Sequence, residues 1–187
     1  NLINGLNVIS DFSIASPLND DPNFPNYKKS NVYNENENIL TVESIDGFSM
    51  LINLEKFSDK IFFDENFFLY LEETDLCKRI KEKGKKIIEI NVEVSHLGNQ
   101  SSKYDDSFEI EMSRNWHWMW SKFYFSKKHK GYFLSIIIFF PLLIKLLIKL
   151  VFYFILRNNS KFIISKKRFT GLLASIIGKS SYYRPKV

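Results

Sequence analysis

Three carboxylates, Glu72, Glu73 and Asp75, stand where an aromatic loop over Ile61–Leu71 runs into a helix predicted over Glu72–Lys83. The positive end of a helix dipole favours their charged forms. Apolar walls push a carboxyl the other way, toward the range of a working base. The same composition also makes an ordinary acidic first turn, so these acids alone leave a structural and a catalytic reading open. About twenty residues on, His96 ends a predicted strand over Lys85–His96 in the sequence VSHLG. A lone histidine at a strand end is more often structural than a ligand. A neutral imidazole with carboxylates nearby can hold a divalent cation.

The elements that must position these residues follow from local pattern. Ile45–Leu54 (IDGFSMLINL) reads as a buried strand, interrupted near its start by Gly47 and followed by a helix cap at Asn53. Glu55–Ser58 reads as a short helical turn. In the predicted helix Leu76 and Ile80 share one face, with Cys77 beside them. Acids open that helix, bases dominate its later turns and Gly84 follows as a stop. Arg79 is placed to pair with an acid on the same helix. Residues 1–40 are rich in Asn, Asp, Ser and Pro, with Pro17, Pro22 and Pro25 breaking any long element. Asp105–Lys130 reads as a long amphipathic helix, with Phe108, Met112, Trp116, Met119, Trp120 and Phe123 along one face. Trp116, Trp118, Trp120, Tyr124 and four Lys in its second half have the composition of an interfacial belt.

The 187 residues carry a net charge of +5 that hides a division. Residues 1–112 hold 21 acids and 11 bases, whereas residues 113–187 hold 15 bases and no acid. Inside the basic part, Tyr132–Leu156 has 19 Leu, Ile, Val or Phe among 25 residues. Nucleic-acid binders interleave aromatics with bases as stacking platforms; this pattern excludes that class and points to membrane lipid. As one helix the stretch reaches ~37 Å against ~30 Å of hydrocarbon. Its apolar residues gain about 9 kcal/mol on insertion, and Lys145 and Lys149 near the middle cost about 5–7. Two arrangements fit: an in-plane or re-entrant hairpin with both Lys toward headgroups, or a marginal span. The first is favoured over both the span and a core helix of a soluble protein. With one cysteine, Cys77, no internal disulfide and no multi-cysteine zinc site can form.

The series DGFSMLINLEKF, FFDENFFLYLEETDLCKRIKEKGKK and VEVSHLGNQSS, roughly residues 42–102, resembles the second half of family 2 glycosyltransferases. The likeness is nearest to rhamnosyltransferase-like members that build surface polysaccharides. Their pattern is F-D-E-x-F-F-x-Y-x-E-[DE]-x-D-L-C-x-R, a strand, then H-x-G-x-S. Here the last piece is His96-Leu97-Gly98-Asn99-Gln100-Ser101, one residue longer before the serine. The tail GKSSYYRP is also similar to such enzymes, with far less specificity.

The resemblance implies an α/β fold: an incomplete GT-A-type mixed sheet with flanking helices over residues 1–104. A mostly helical, membrane-associating region follows over residues 105–187. It implies inverting transfer of a sugar, such as rhamnose, from a nucleotide-sugar donor to a glycan or polyprenyl-linked acceptor. The implied location is the cytoplasmic face of the plasma (inner) membrane. Glu73 matches the general base; many relatives have Asp there, so the reach differs. Glu72 and Asp75 match neighbouring acids that orient the acceptor or hold the helix start. Asp46 and Gly47 match positions beside the sugars. His96 matches a ligand of a divalent metal, Mg or Mn. The remaining metal ligands, an Asp-x-Asp among them, are expected from a preceding N-terminal half. Without that half the chain is expected to hold nucleotide sugar poorly and to be inactive alone. The competing expectation is a non-catalytic, membrane-associated module or a degenerate fragment of such an enzyme.

Overall fold

A computed structural model describes residues 12–18, 39–57, 62–94 and 107–184. The chain divides into two compact units. One is Asn1–Asp64 with Glu73–Ser101; the other is Glu65–Glu72 with Ser102–Val187.

The first unit is built on a four-stranded sheet in the order β2-β4-β1-β3. Its strands are β1 (Ile14–Leu18), β2 (Ile39–Thr41), β3 (Leu51–Ile52) and β4 (Ile87–Glu93). β1 runs parallel to β4, while β3 and β2 pair antiparallel on either side, so the sheet is mixed. Helix α1 (Glu72–Glu82) belongs to this unit from Glu73 onward. The two-residue period of β4 distributes the core. Ile87 faces the cluster of Ile14, Val42, Ile45, Leu76, Cys77 and Ile80, whereas Ile88 and Ile90 join Phe12 and Ala15 on the other face. Fully burying each such aliphatic side chain contributes about 1.5–3 kcal/mol. Gly84 ends α1 at φ 68°, where its N–H donates to the Lys81 carbonyl at 2.8 Å. This is the left-handed stop that glycine reaches without strain.

Two expectations for this unit are corrected. The central strand β1 lies in the segment read as broken by Pro17. All five of its residues are buried, so it shows none of the alternation that marks a half-exposed strand. Pro17 is tolerated because β3 pairs only with Ile14 and Ala15, and a register shift follows between Pro17 and Leu18. The strand expected over Ile45–Leu54 shrinks to Leu51–Ile52, with Gly47 in a turn ahead of it. The Asn53 cap forms as expected: its side-chain oxygen accepts from the Glu55 N–H at 3.2 Å, opening a 3-10 turn over Leu54–Lys56.

The second unit is a three-helix arrangement of α2 (Ser107–Lys130), α3 (Tyr132–Ile155) and α4 (Asn159–Ile176). Gly131, at φ 85°, separates α2 from α3. α3 runs unbroken through Pro141. The chain reverses only after it, with Arg157 at φ 51° and Asn158 capping α4 by accepting from the Lys161 N–H at 3.1 Å. A re-entrant turn inside 132–156 is therefore not what forms. The hairpin consists of two whole helices. At its open end the Tyr132 hydroxyl donates to the Ile176 carbonyl; at its closed end Phe154 meets Phe162.

A second correction concerns the expected aromatic belt on α2. Trp116 and Trp120 are buried, packed against Ala174 and the tail residue Tyr183. Of the three tryptophans only Trp118 is exposed. Phe108, expected on the inward face, is exposed as well. The other five residues of the expected face, Met112, Trp116, Met119, Trp120 and Phe123, are buried as the spacing predicts, and Met119 and Phe123 meet Leu146 of α3 and Leu172 of α4.

Candidate active-site residues

In the first unit α1 and the turn after β2 bring Glu73 and Gly47 together. A methyl group at Gly47 would stand 3.7 Å from Glu73 Cβ and Cγ and 4.0 Å from Cδ. Such a side chain would be in ordinary van der Waals contact with Glu73, and glycine leaves that space open. Gly47 is exposed and both Glu73 and Asp46 are half-buried, so this corner opens to solvent. Asp46 and Glu73 also act on one reporter, the buried thiol of Cys77. Burial pushes that thiol above its ordinary pKa, a backbone hydrogen bond from Ile45 opposes the shift, and the Glu73 and Asp46 charges add to it.

Asp75 has a different position. It is wholly buried, and its Oδ2 accepts from Arg79 Nε at 2.8 Å. Arg79 in turn donates to the carbonyl of Phe62. This is the same-helix pairing expected for Arg79. Of the two roles expected for Asp75, this pairing supports the one of holding α1, together with the loop before it.

Glu72, one residue before Glu73, belongs to the second unit, and its Oε2 is buried without a hydrogen-bond partner. Its charge is felt by the hydroxyl of Tyr70, which burial pushes above the ordinary tyrosine pKa; Arg114 opposes the shift and Glu72 adds to it. His96 lies outside the described residues. Among the described residues no three His, Cys, Asp or Glu side chains converge as metal ligands.

Sequence reasoning did not anticipate how residues 65–72 lie along α2. Phe67 meets Tyr124 edge-on at 4.9 Å, Phe68 lies 4.8 Å from His117, and Tyr70 meets Trp118 at 5.3 Å. Ser121 Oγ donates to the Leu69 carbonyl at 2.7 Å. Tyr70 and Leu71 both have positive φ, 71° and 69°. Two successive non-glycine residues in that region cost of order 1–3 kcal/mol each. The α2 contacts hold the segment in place against that strain. The run FFLY beside acids was the available signal, but aromatic content does not reveal a partner helix.

His117 was also missed. It is wholly buried, with Nε2 2.8 Å from the Tyr183 carbonyl and Nδ1 2.8 Å from Ser181 Oγ. A carbonyl only accepts, so Nε2 carries the proton and Nδ1 accepts from the serine hydroxyl. Burial holds the imidazole below its ordinary pKa, the Tyr183 carbonyl opposes this and the Arg184 charge adds to it. Because the folded pKa is depressed, the unfolded chain protonates first. Stability therefore stands undiminished above about pH 6.5 and falls as pH drops below it. Urea unfolding between pH 7.5 and 5.0 is expected to show that loss. His117→Gln, which keeps a donor and an acceptor, is expected to flatten it.

No family model, no curated protein and no solved structure matches this chain. The functional reading therefore rests on its own residues and on the motif resemblance.

Proposed function

We propose that this chain is the acceptor-side part of an inverting glycosyltransferase, held at a membrane by its helical unit. The observation that carries the reading is the proximity of Glu73 to the exposed Gly47 turn beside Asp46. A base on a rigid helix start faces a glycine with no side chain to block an incoming sugar. Glu73 takes the proton from the acceptor hydroxyl as that oxygen attacks the anomeric carbon. The bond to the nucleotide diphosphate breaks on the opposite side, and the diphosphate leaves with the electron pair. The burial of Leu76, Cys77 and Ile80 in the core of the first unit anchors the helix that carries the base. In this reading the donor is a nucleotide sugar such as a rhamnosyl nucleotide, and the acceptor a glycan or polyprenyl-linked glycan. A divalent metal, if bound, would stabilise the charge on the leaving diphosphate, and His96 is the residue of this chain that the motif resemblance would make its ligand.

The membrane part is supported by α3, a helix long and apolar enough to cross a bilayer, most of whose surface is exposed. It is also supported by the charge of α4, which places Lys166, Lys167 and Arg168 midway along the hairpin, between its Phe154–Phe162 and Tyr132–Ile176 ends. Lys167 donates to the Tyr183 hydroxyl and Arg168 to Asn115 Oδ1, whereas Lys166 is exposed, and an upright hairpin would carry it into hydrocarbon at a cost of about 2.5–3.5 kcal/mol. In this reading the hairpin lies along the membrane surface, at the cytoplasmic face that the motif resemblance implies.

The test is sugar transfer by the protein of the complete reading frame, with labelled nucleotide sugars and membrane glycolipid acceptors. Glu73→Gln is expected to lower turnover by at least ~10²-fold with donor binding unchanged. Full turnover in that variant would move the base elsewhere. Donor binding with no transfer to any acceptor would favour the second reading, a membrane-attached module without catalysis, which the exposed apolar face of α3 supports equally well.

A further inference from the structure

A groove of about 440 Å³ runs between α2 and α3, within the second unit. Lys122, Ser126 and Lys130 line it at four-residue steps on α2. Phe125 stands beside them, and Ile138 and Leu142 line it from α3. No acid lines it, and residues 113–187 contain none. Trp118 holds the Lys122 ammonium 4.4 Å from its ring centre. Ser126 bonds Ser135 at 2.8 Å, which fixes the groove floor.

We propose that this groove binds one anionic phospholipid, its headgroup phosphate between Lys122 and Lys130 and its chains against the apolar wall. The two lysines are ~12 Å apart along α2, and each side chain can lean toward a group seated between them. Two ammonium groups and no acid select an anion, with lysine acting as a point charge for phosphate. The apolar wall selects a phosphate that carries hydrocarbon. It is continuous with the exposed apolar surface of α3, where Ile138 itself is exposed. A groove of this size holds a headgroup and the first part of the chains, with the rest running out along α3. The proposal rests on the membrane half of the reading above and requires no sugar transfer.

The test is a titration of the full chain in neutral maltoside micelles with dihexanoyl phosphatidylglycerol, read by tryptophan fluorescence. Dihexanoyl phosphatidylcholine and glycerol phosphate are the comparison ligands. Saturable one-to-one binding of the anionic lipid is expected, with both comparison ligands at least about tenfold weaker. Lys122→Gln with Lys130→Gln is expected to weaken binding about 20- to 30-fold, since each lysine near an anionic lipid contributes about fivefold. Lys166→Gln with Lys179→Gln, the same change of charge on exposed residues of the same unit, is expected to stay within about threefold. Equal losses in the two double variants, glycerol phosphate binding as tightly as the lipid, or no saturable binding would each overturn the proposal. Flotation of the unaltered chain with phosphatidylglycerol vesicles tests membrane attachment by itself, so the two readings fail separately.

Discussion

Gly171→Ala is expected to destabilise the helical unit by about 2 kcal/mol or more, because overpacking a tight contact costs typically 1–3 kcal/mol. The new Cβ would stand 2.3 Å from the Trp116 carbonyl oxygen, 3.0 Å from its carbon and 3.2 Å from its Cα. All three are backbone atoms in the middle of α2, so no rotamer change relieves the clash. α4 must move away from α2. Trp116, Trp120 and Ala174 form one buried cluster there, and Leu172 meets Met119 and Phe123 next to it. The opposing effect is helix propensity, where alanine gains about 1 kcal/mol over glycine. In an exposed helix that gain would win. Here the sign is set by the backbone contact. Urea unfolding followed by tryptophan fluorescence reads the result, since all three tryptophans lie on α2. A variant as stable as the parent would mean that α2 and α4 do not approach at this residue.

Asp75→Ala is expected to cost the sheet-and-helix unit about 3 kcal/mol, the low end for breaking a buried ion pair. The low end applies because the Arg79 side chain is 29% exposed and water recovers part of its charge. The substitution removes the acceptor for Arg79 Nε and loosens the guanidinium that holds the Phe62 carbonyl. It also opens space beside Leu76 and Cys77. Thermal unfolding measures the loss. Glu73→Gln should lower the melting temperature less than Asp75→Ala, because Glu73 is half-buried beside an exposed turn and glutamine keeps a side-chain acceptor. The two acids, two positions apart, thus separate by assay: one governs stability and the other, in the proposed reading, turnover. Little change in melting on losing Asp75 would remove its assignment to the framework.

Local signals with a physical mechanism were readable in advance. The acidic start and glycine stop of α1, the Asn53 cap and the long periodic run of α2 each follow from chemistry within a few residues. The bounds of the apolar stretch were legible in its hydrophobicity, but that it forms one helix unbroken at Pro141 was not. β1 was hidden because a strand buried on both faces carries no alternation, and Ser16 and Pro17 dilute its apolar content. The periodicity of α2 put Trp116 and Trp120 on its apolar face, while composition suggested a lipid-facing belt, and composition cannot distinguish a belt from a core. That distinction depends on Gly171 of α4 presenting no side chain to Trp116. At the candidate site, the types and order of Asp46, Gly47, Glu72, Glu73 and Asp75 were legible. Which of them is buried against Arg79, and which lies beside an exposed turn, depends on how the chain folds back, and spacing does not encode that.

The α3–α4 pair returns the backbone to its point of departure. Tyr132 opens the first helix of the pair and Ile176 closes the second, and the two are joined by a hydrogen bond. In the proposed membrane reading, whatever depth the pair reaches, the described chain on either flank emerges into one compartment. No soluble segment has to be translocated, so a protease added to that side should reach both flanks, and one confined to the opposite side neither.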